Sequence, residues 1–208
     1  MLTLSTLKKV NILFLISVLI LSSCTKEGCV DKNALNFDAK ADKDDGSCLF
    51  NPEVGEAHQG GYVAYVFESG DQGYVEGEFH GLITTKIDQA LENEWGCIGT
   101  LVGASNSDIG NGSNNTSLIL ANCSEVEIAA KICNDFSFGG YDDWYLPSRD
   151  ELNKLYENKD LIGGFANASY WSSTEQDEDF VWGQSFNIGS QFLISKDNTF
   201  RVRAIRKF

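Results

Sequence analysis

At 208 residues, with 42% hydrophobic and 12% aromatic side chains, the chain has the length and apolar content for one ordinary domain with appendages. Its formal net charge of −14 excludes nucleic acid as a partner class, because an acidic surface repels phosphates instead of releasing their counterions. Twenty glycines against two prolines point away from a helix bundle and toward a β-rich or loop-rich fold.

The N-terminus addresses the compartment. Lys8 and Lys9 precede an apolar run from Val10 to Leu21 that is short for a membrane span and right for a secretory signal. Leu21-Ser22-Ser23-Cys24 resembles a bacterial lipobox, which implies removal of residues 1–23 and acylation of Cys24. A plain signal peptide with an incidental cysteine is the alternative. No Asp directly follows Cys24, unlike inner-membrane retention signals, so the resemblance implies an outer-membrane lipoprotein at the cell surface, with the membrane as its partner through the lipid.

Residues 24–58 read as a lipidated tether around one module. Cys29 and Cys48 can close a disulfide in an oxidising compartment, around a loop with almost no apolar content of its own. Asp31, Asn33, Asn36, Asp38, Asp42, Asp44 and Asp45 supply a density of oxygen ligands that suits calcium. The spacing resembles a Cys- and Asp-rich module, ending Asp-Asp-Gly-Ser-Cys, repeated in many secreted bacterial proteins, and loosely the calcium repeats of thrombospondins. It lacks the twelfth-position Glu of an EF-hand, and a disulfide-stapled acidic spacer remains the alternative.

The main domain is expected over residues 59–208. Gly61–Phe67 and Phe79–Thr85 carry the aromatic and β-branched enrichment of a hairpin. Gly103–Ser117, rich in Gly, Ser and Asn, reads as a long surface loop, and Asn106, Asp108 and Asn111 on it are the candidate ligand contacts. Cys97 and Cys123 would pin that loop, with Cys133 buried on a helix; a Cys123–Cys133 pair is the competitor. His58 and His80 stand far from these cysteines in sequence and outside zinc-ligand spacing.

Ser124 with Glu127, and Ser148 with Glu151, each have capping-box spacing, predicting helices that bury Val126 and Ile128 in the first case and Leu152 and Leu155 in the second. Strands follow at Tyr170–Thr174, Val181–Asn187, Gln191–Ser195 and Phe200–Ile205, finishing in a meander or curled sheet. Arg201 and Arg203, on one face of the last strand, are expected to meet Asp142, Asp143, Asp150 or Glu175, with a small projecting basic patch as the alternative. Trp144 and Trp171 are expected in the core.

The run GGYDDWYLPSRDEL, then YWSSTE, then Trp182-x-x-x-Phe186 and the terminal VRAIR, resembles the family that forms the C-terminal domain of collagen-like Lcl adhesins, over about residues 60–208. The resemblance implies an α+β, C-type-lectin-like domain with a curled antiparallel sheet, two short helices and long loops, similar in motif layout also to formylglycine-generating enzymes. It implies extracellular binding, including to sulfated glycans in adhesin members. The calcium-sugar motifs of true lectins are absent, as is a cationic surface for polysulfated chains, and no cysteine follows Cys133 to match the catalytic pair of formylglycine-generating enzymes. The expected function is therefore a non-enzymatic adhesion module for glycan or protein ligands. A structural envelope component, or a glycan-active enzyme with a converging acid and base, are the other readings.

Overall fold

The computed structural model describes residues 25–208, so Cys24 and the signal read over residues 1–23 lie outside the described residues. The described residues fall into two compact units, 25–50 and Asn51–Phe208. Among the described residues no helix is long and apolar enough to cross a membrane.

In the first unit, β1 (Glu27–Gly28) and β2 (Lys43–Asp44) form a short parallel pair. The Cys29–Cys48 disulfide, with Cα atoms 4.8 Å apart, closes the loop between them. Among the described residues of this unit only Cys29 and Ala34 are buried, so the covalent bond stands where a short segment has no core to hold it.

The second unit starts earlier than the composition suggested. β3 (Ala57–His58) pairs antiparallel with β4 (Gly61–Val66), and the Gly55 N–H donates to Val63 O at 2.8 Å. The division at 50/51 places residues 55–58, which bond to β4, within the second unit.

β4 pairs with β5 (Gly81–Thr84) as the expected hairpin. β6 (Ala90–Glu94) leads to the loop that precedes α1 (Gly112–Asn122), followed by α2 (Ala129–Asn134), α3 (Arg149–Glu157) and α4 (Lys159–Ile162). The chain then runs through β7 (Ser169–Glu175), β8 (Phe180–Ser185), β9 (Gln191–Ser195), β10 (Thr199–Val202) and β11 (Ile205–Lys207). One sheet has the order β6-β10-β7-β8-β9 and the other β11-β5-β4-β3.

This is an α+β architecture with two sheets and four helices in this unit, in place of a single curled antiparallel sheet with two. The last strand does not continue as a meander: β10 inserts between β6 and β7, parallel to β7, and the chain then crosses to the other sheet as β11.

Two local expectations separate at this level. At Ser148 both reciprocal capping-box bonds form, and Leu152 and Leu155 are buried. At Ser124 the box does not form. α2 begins after Ile128 with no side-chain cap, and Val126, expected inside, is 72% exposed. The Cys97–Cys123 bond, with Cα atoms 5.8 Å apart, holds Cys123 extended just before that point.

The core has two parts. Trp95, Trp144, Trp171, Ile119 and Ile128 share one cluster, and Tyr170, Phe186, Leu152 and Leu155 share the other. Each buried indole finds an acceptor: Trp95 Nε1 donates to Ser172 O, Trp144 to Tyr141 O and Trp171 to Asn93 O. Two of the three terminal arginines choose a partner outside the expected acids, and the third takes one of them. Arg201 and Arg203 both bind Asp88, while Arg206 makes a forked pair with Asp143.

Candidate functional site

The candidate loop is partly helix. Residues 103–111 remain irregular, but Gly112–Asn122 form α1, with Asn115, Thr116 and Ile119 buried against the core. Asn111 is thus the N-cap of α1 and only 8% exposed, whereas Asn106 and Asp108 stay exposed.

Three buried charged groups fasten the irregular part. Glu175, at the end of β7, accepts from Val102 N at 2.9 Å and Gly103 N at 2.7 Å. Lys196 pairs with Glu175 at 2.7 Å and donates to Thr100 O at 2.7 Å, both side chains being buried. Glu151, in the first turn of α3, accepts from Ser148 N at 2.8 Å and from Gly110 N at 2.9 Å. Burial pushes the Glu151 carboxyl above the usual carboxylate range, against the hydrogen bonds from Ser148 and Gly110 and the charge of Lys207, which favour ionisation.

The loop carbonyls are engaged as well. Ser107 O accepts from Asp150 N, Asp108 O from Ser148 Oγ, Gly110 O from Lys207 Nζ, and Asn106 O from both Asn115 Nδ2 and Thr174 Oγ1. Two glycines permit the close fit. At Gly110 (φ +89°) a Cβ would lie 2.3 Å from Gln72 O, and at Gly112 it would lie 2.2 Å from Glu151 Oε2. The backbone is preorganised, and the side chains that remain exposed project from a fixed frame.

That frame surrounds an open cleft of about 460 Å³, lined by Asn106, Asp108, Asn111 and Asp150 from this side and by Asp71 and Gln72 from the β4–β5 loop. Asp71 is held by Tyr65 Oη and by Glu68 N, both donating to Oδ2 at 2.8 Å. Asp150 accepts from Arg149 Nε at 3.1 Å. Asn111 makes no side-chain cap bond, and among the described residues its amide has no hydrogen-bond partner. The structure therefore brings all three sequence candidates to one cleft. It adds Asp71, Gln72 and Asp150, whose membership depends on a contact between segments far apart in the chain.

A second open cleft, of about 570 Å³, is lined by Glu92, Glu94, Glu125 and Glu127. There Asn93 Nδ2 is already bound to the carbonyls of Glu94 and Glu127.

The calcium candidates do not form a cage. Asp31, Asp44 and Asp45 each accept a backbone N–H two residues on, from Asn33, Gly46 and Ser47. Asp38 binds Lys26 Nζ and Lys40 N, Asp42 accepts from Lys26 N, and Asn36 bridges to Ser47 O and Leu49 N. Hydrogen bonding holds the Asp38 carboxyl below the usual range, Lys26 first, and the Asp45 carboxyl likewise through Ser47. These oxygens serve turns and a lysine. Among the described residues, the close group of potential ligand atoms is Cys97, Cys123 and Glu125, and its two sulfurs are bonded to each other. Cys133 is buried and free, with burial pushing its thiol up.

Residues 104–206 match the Lcl C-terminal domain family. The matched residues hold the whole loop side of the cleft, α1 to α4 and the strands from β7 onward, whereas Asp71 and Gln72 lie before them. No curated protein matches the chain significantly. Among solved structures, a fimbrial protein from Bacteroides ovatus ATCC 8483 is similar, with 16% identity and a TM-score of 0.47 over 82% of this chain. The chain spans 50% of that protein's length.

Proposed function

We propose that the chain is a surface-displayed bacterial lipoprotein, held in the outer membrane through Cys24, whose second unit is an adhesion module that takes glycan or protein ligands in the Asn106–Asn111 cleft. One observation carries the ligand site: Asn111, more than nine-tenths buried and without a hydrogen-bond partner among the described residues, lines a polar cleft whose backbone is fastened by Glu151, Glu175 and Lys196. The unpaired amide atoms of Asn111 open onto the cleft, where water pairs them in the free chain and a ligand can take its place. The disulfide-closed stretch 97–123, which contains α1 and bonds to the start of α3, supports a C-type-lectin-like arrangement of the domain.

The ligand site is tested by probing a glycan array with the purified chain and with Asp108→Ala. Loss of the parent's signals in the variant, at an unchanged melting temperature, supports the site; equal signals for both remove it from the cleft. The anchor is tested separately. Cys24→Ser is expected to abolish lipoprotein processing, and an unaltered mature mass and membrane fractionation would overturn that part.

A further inference from the structure

We infer that the ligand of this cleft is an amino sugar carrying a free, protonated amine. The inference rests on the reading of the cleft as the ligand site and names the chemistry that it selects.

Three carboxylates line the cleft, and none of its lining residues is a lysine or arginine. The carboxylate of Asp108 has no partner among the described residues, Asp71 uses only Oδ2, and Asp150 uses only Oδ1. Free acceptor oxygens therefore remain on all three. Of the nearby cations, Arg149 pairs with one oxygen of Asp150 and lies over the Trp182 ring, while Lys154 is engaged by Glu157 and the Tyr65 ring and Lys207 by the Gly110 carbonyl. A sulfate or carboxylate entering the cleft would meet like charge. An ammonium group would meet unpaired oxygens on a preorganised frame, where charge-assisted hydrogen bonds are strongest.

The other lining groups decide between kinds of cation. Gln72, Asn106 and Asn111 offer amides that donate and accept, and Ile109 is the one large apolar side chain in the lining. The long apolar stem of a lysine side chain finds little to pack against here. A ring bearing several hydroxyls satisfies the amides, and its volume suits an open cleft of about 460 Å³. Asn111, more than nine-tenths buried yet with its unpaired amide open to the cleft, supplies the independent sign that the acidic lining is built around a ligand.

The test is titration calorimetry of the full oxidised chain with a glucosamine tetrasaccharide, its N-acetylated counterpart and tetralysine. The glucosamine oligomer is expected to bind at least about tenfold more tightly than either competitor, and Asp108→Asn to weaken it by about tenfold, since one charge-assisted contact is lost. Binding should weaken with salt and as rising pH deprotonates the amine. Glu92→Gln, which removes an equal charge from the other acidic cleft, should leave the affinity unchanged. Equal loss with Glu92→Gln would reduce the effect to net charge and overturn the inference. N-acetylated oligomer bound as tightly as the free amine would overturn the cation class while preserving the sugar site. Tetralysine bound as tightly would overturn the sugar class. No saturable heat with any of the three would overturn the inference, and array signals insensitive to Asp108→Ala would in addition remove the cleft reading beneath it.

Discussion

Replacing Lys196 by Met tests whether the buried ion pair holds the binding loop. Lys196 is fully buried, with Nζ 2.7 Å from both Glu175 Oε1 and Thr100 O, and it lies over the Trp95 ring at 5.0 Å. Methionine keeps most of the stem's packing but leaves Glu175 charged and buried. Breaking such a pair costs about 3–5 kcal/mol. Here the carboxylate keeps the Val102 and Gly103 amides as donors, which places the loss near the lower end, about 3 kcal/mol. That is a large share of the roughly 5–15 kcal/mol that stabilises a domain, and in a unit of this size it lowers the melting temperature by about 6–12 °C. Urea unfolding of Lys196→Met, Glu175→Gln and the double variant measures it. The double variant should cost less than the two singles together, because neither charge is then left alone. Amide exchange at Val102 and Gly103 should accelerate while that in α3 does not. A single variant within about 0.5 kcal/mol of the parent, or a strictly additive cycle, would refute the claim that this pair organises the loop.

Trp171→Ala should cost about 3–5 kcal/mol, whereas Asp108→Ala should stay within about 0.5 kcal/mol; a native-like melt for the tryptophan variant would contradict its burial. Since burial raises the Glu151 carboxyl, the folded chain holds that proton more tightly than the unfolded one, so the stabilising contribution is full at acid pH and is lost as pH rises through the raised value. Measured against Glu151→Gln, the parent should therefore gain stability as pH falls from neutrality toward about 4, and a difference that is flat or opposite in sign would contradict this. Calcium added to the oxidised chain should give no saturable heat from residues 29–48, whose carboxylates already serve turns and Lys26. Saturable heat abolished by Asp44→Asn would restore these side chains to calcium.

The features legible in the sequence were those that local chemistry decides. The Ser148–Glu151 box lies directly after Pro147 and before a Leu152–Leu155 stripe, and the helix forms where those signals coincide. The hairpin, the strands after Tyr170 and the inward tryptophans follow from side-chain type and period. Ser124–Glu127 shows the same letters without the outcome, because the Cys97 bond and the burial of Ile128 govern that turn. α1 escaped notice since Gly, Ser, Asn and Thr at its start are weak helix formers; Asn115, Thr116 and Ile119 hold it through tertiary contact. Asp88 could not be assigned to Arg201 and Arg203 from the sequence, as 113 and 115 positions separate them. The cleft was half legible for the same reason: Asn106, Asp108 and Asn111 come from one segment, while Asp71 and Gln72 arrive from another.

The division of the final segment between β10 and β11 governs the order in which this molecule can be assembled. β6 has β10 as its only strand partner, β10 also bonds β7, and β11 supplies the outer strand beside β5. Neither sheet can close until residues 199–207 are present, so a chain emerging from its N-terminus holds separate hairpins and helices with open edges. Contacts between such distant segments make folding slow. The last few residues therefore lock both sheets at once.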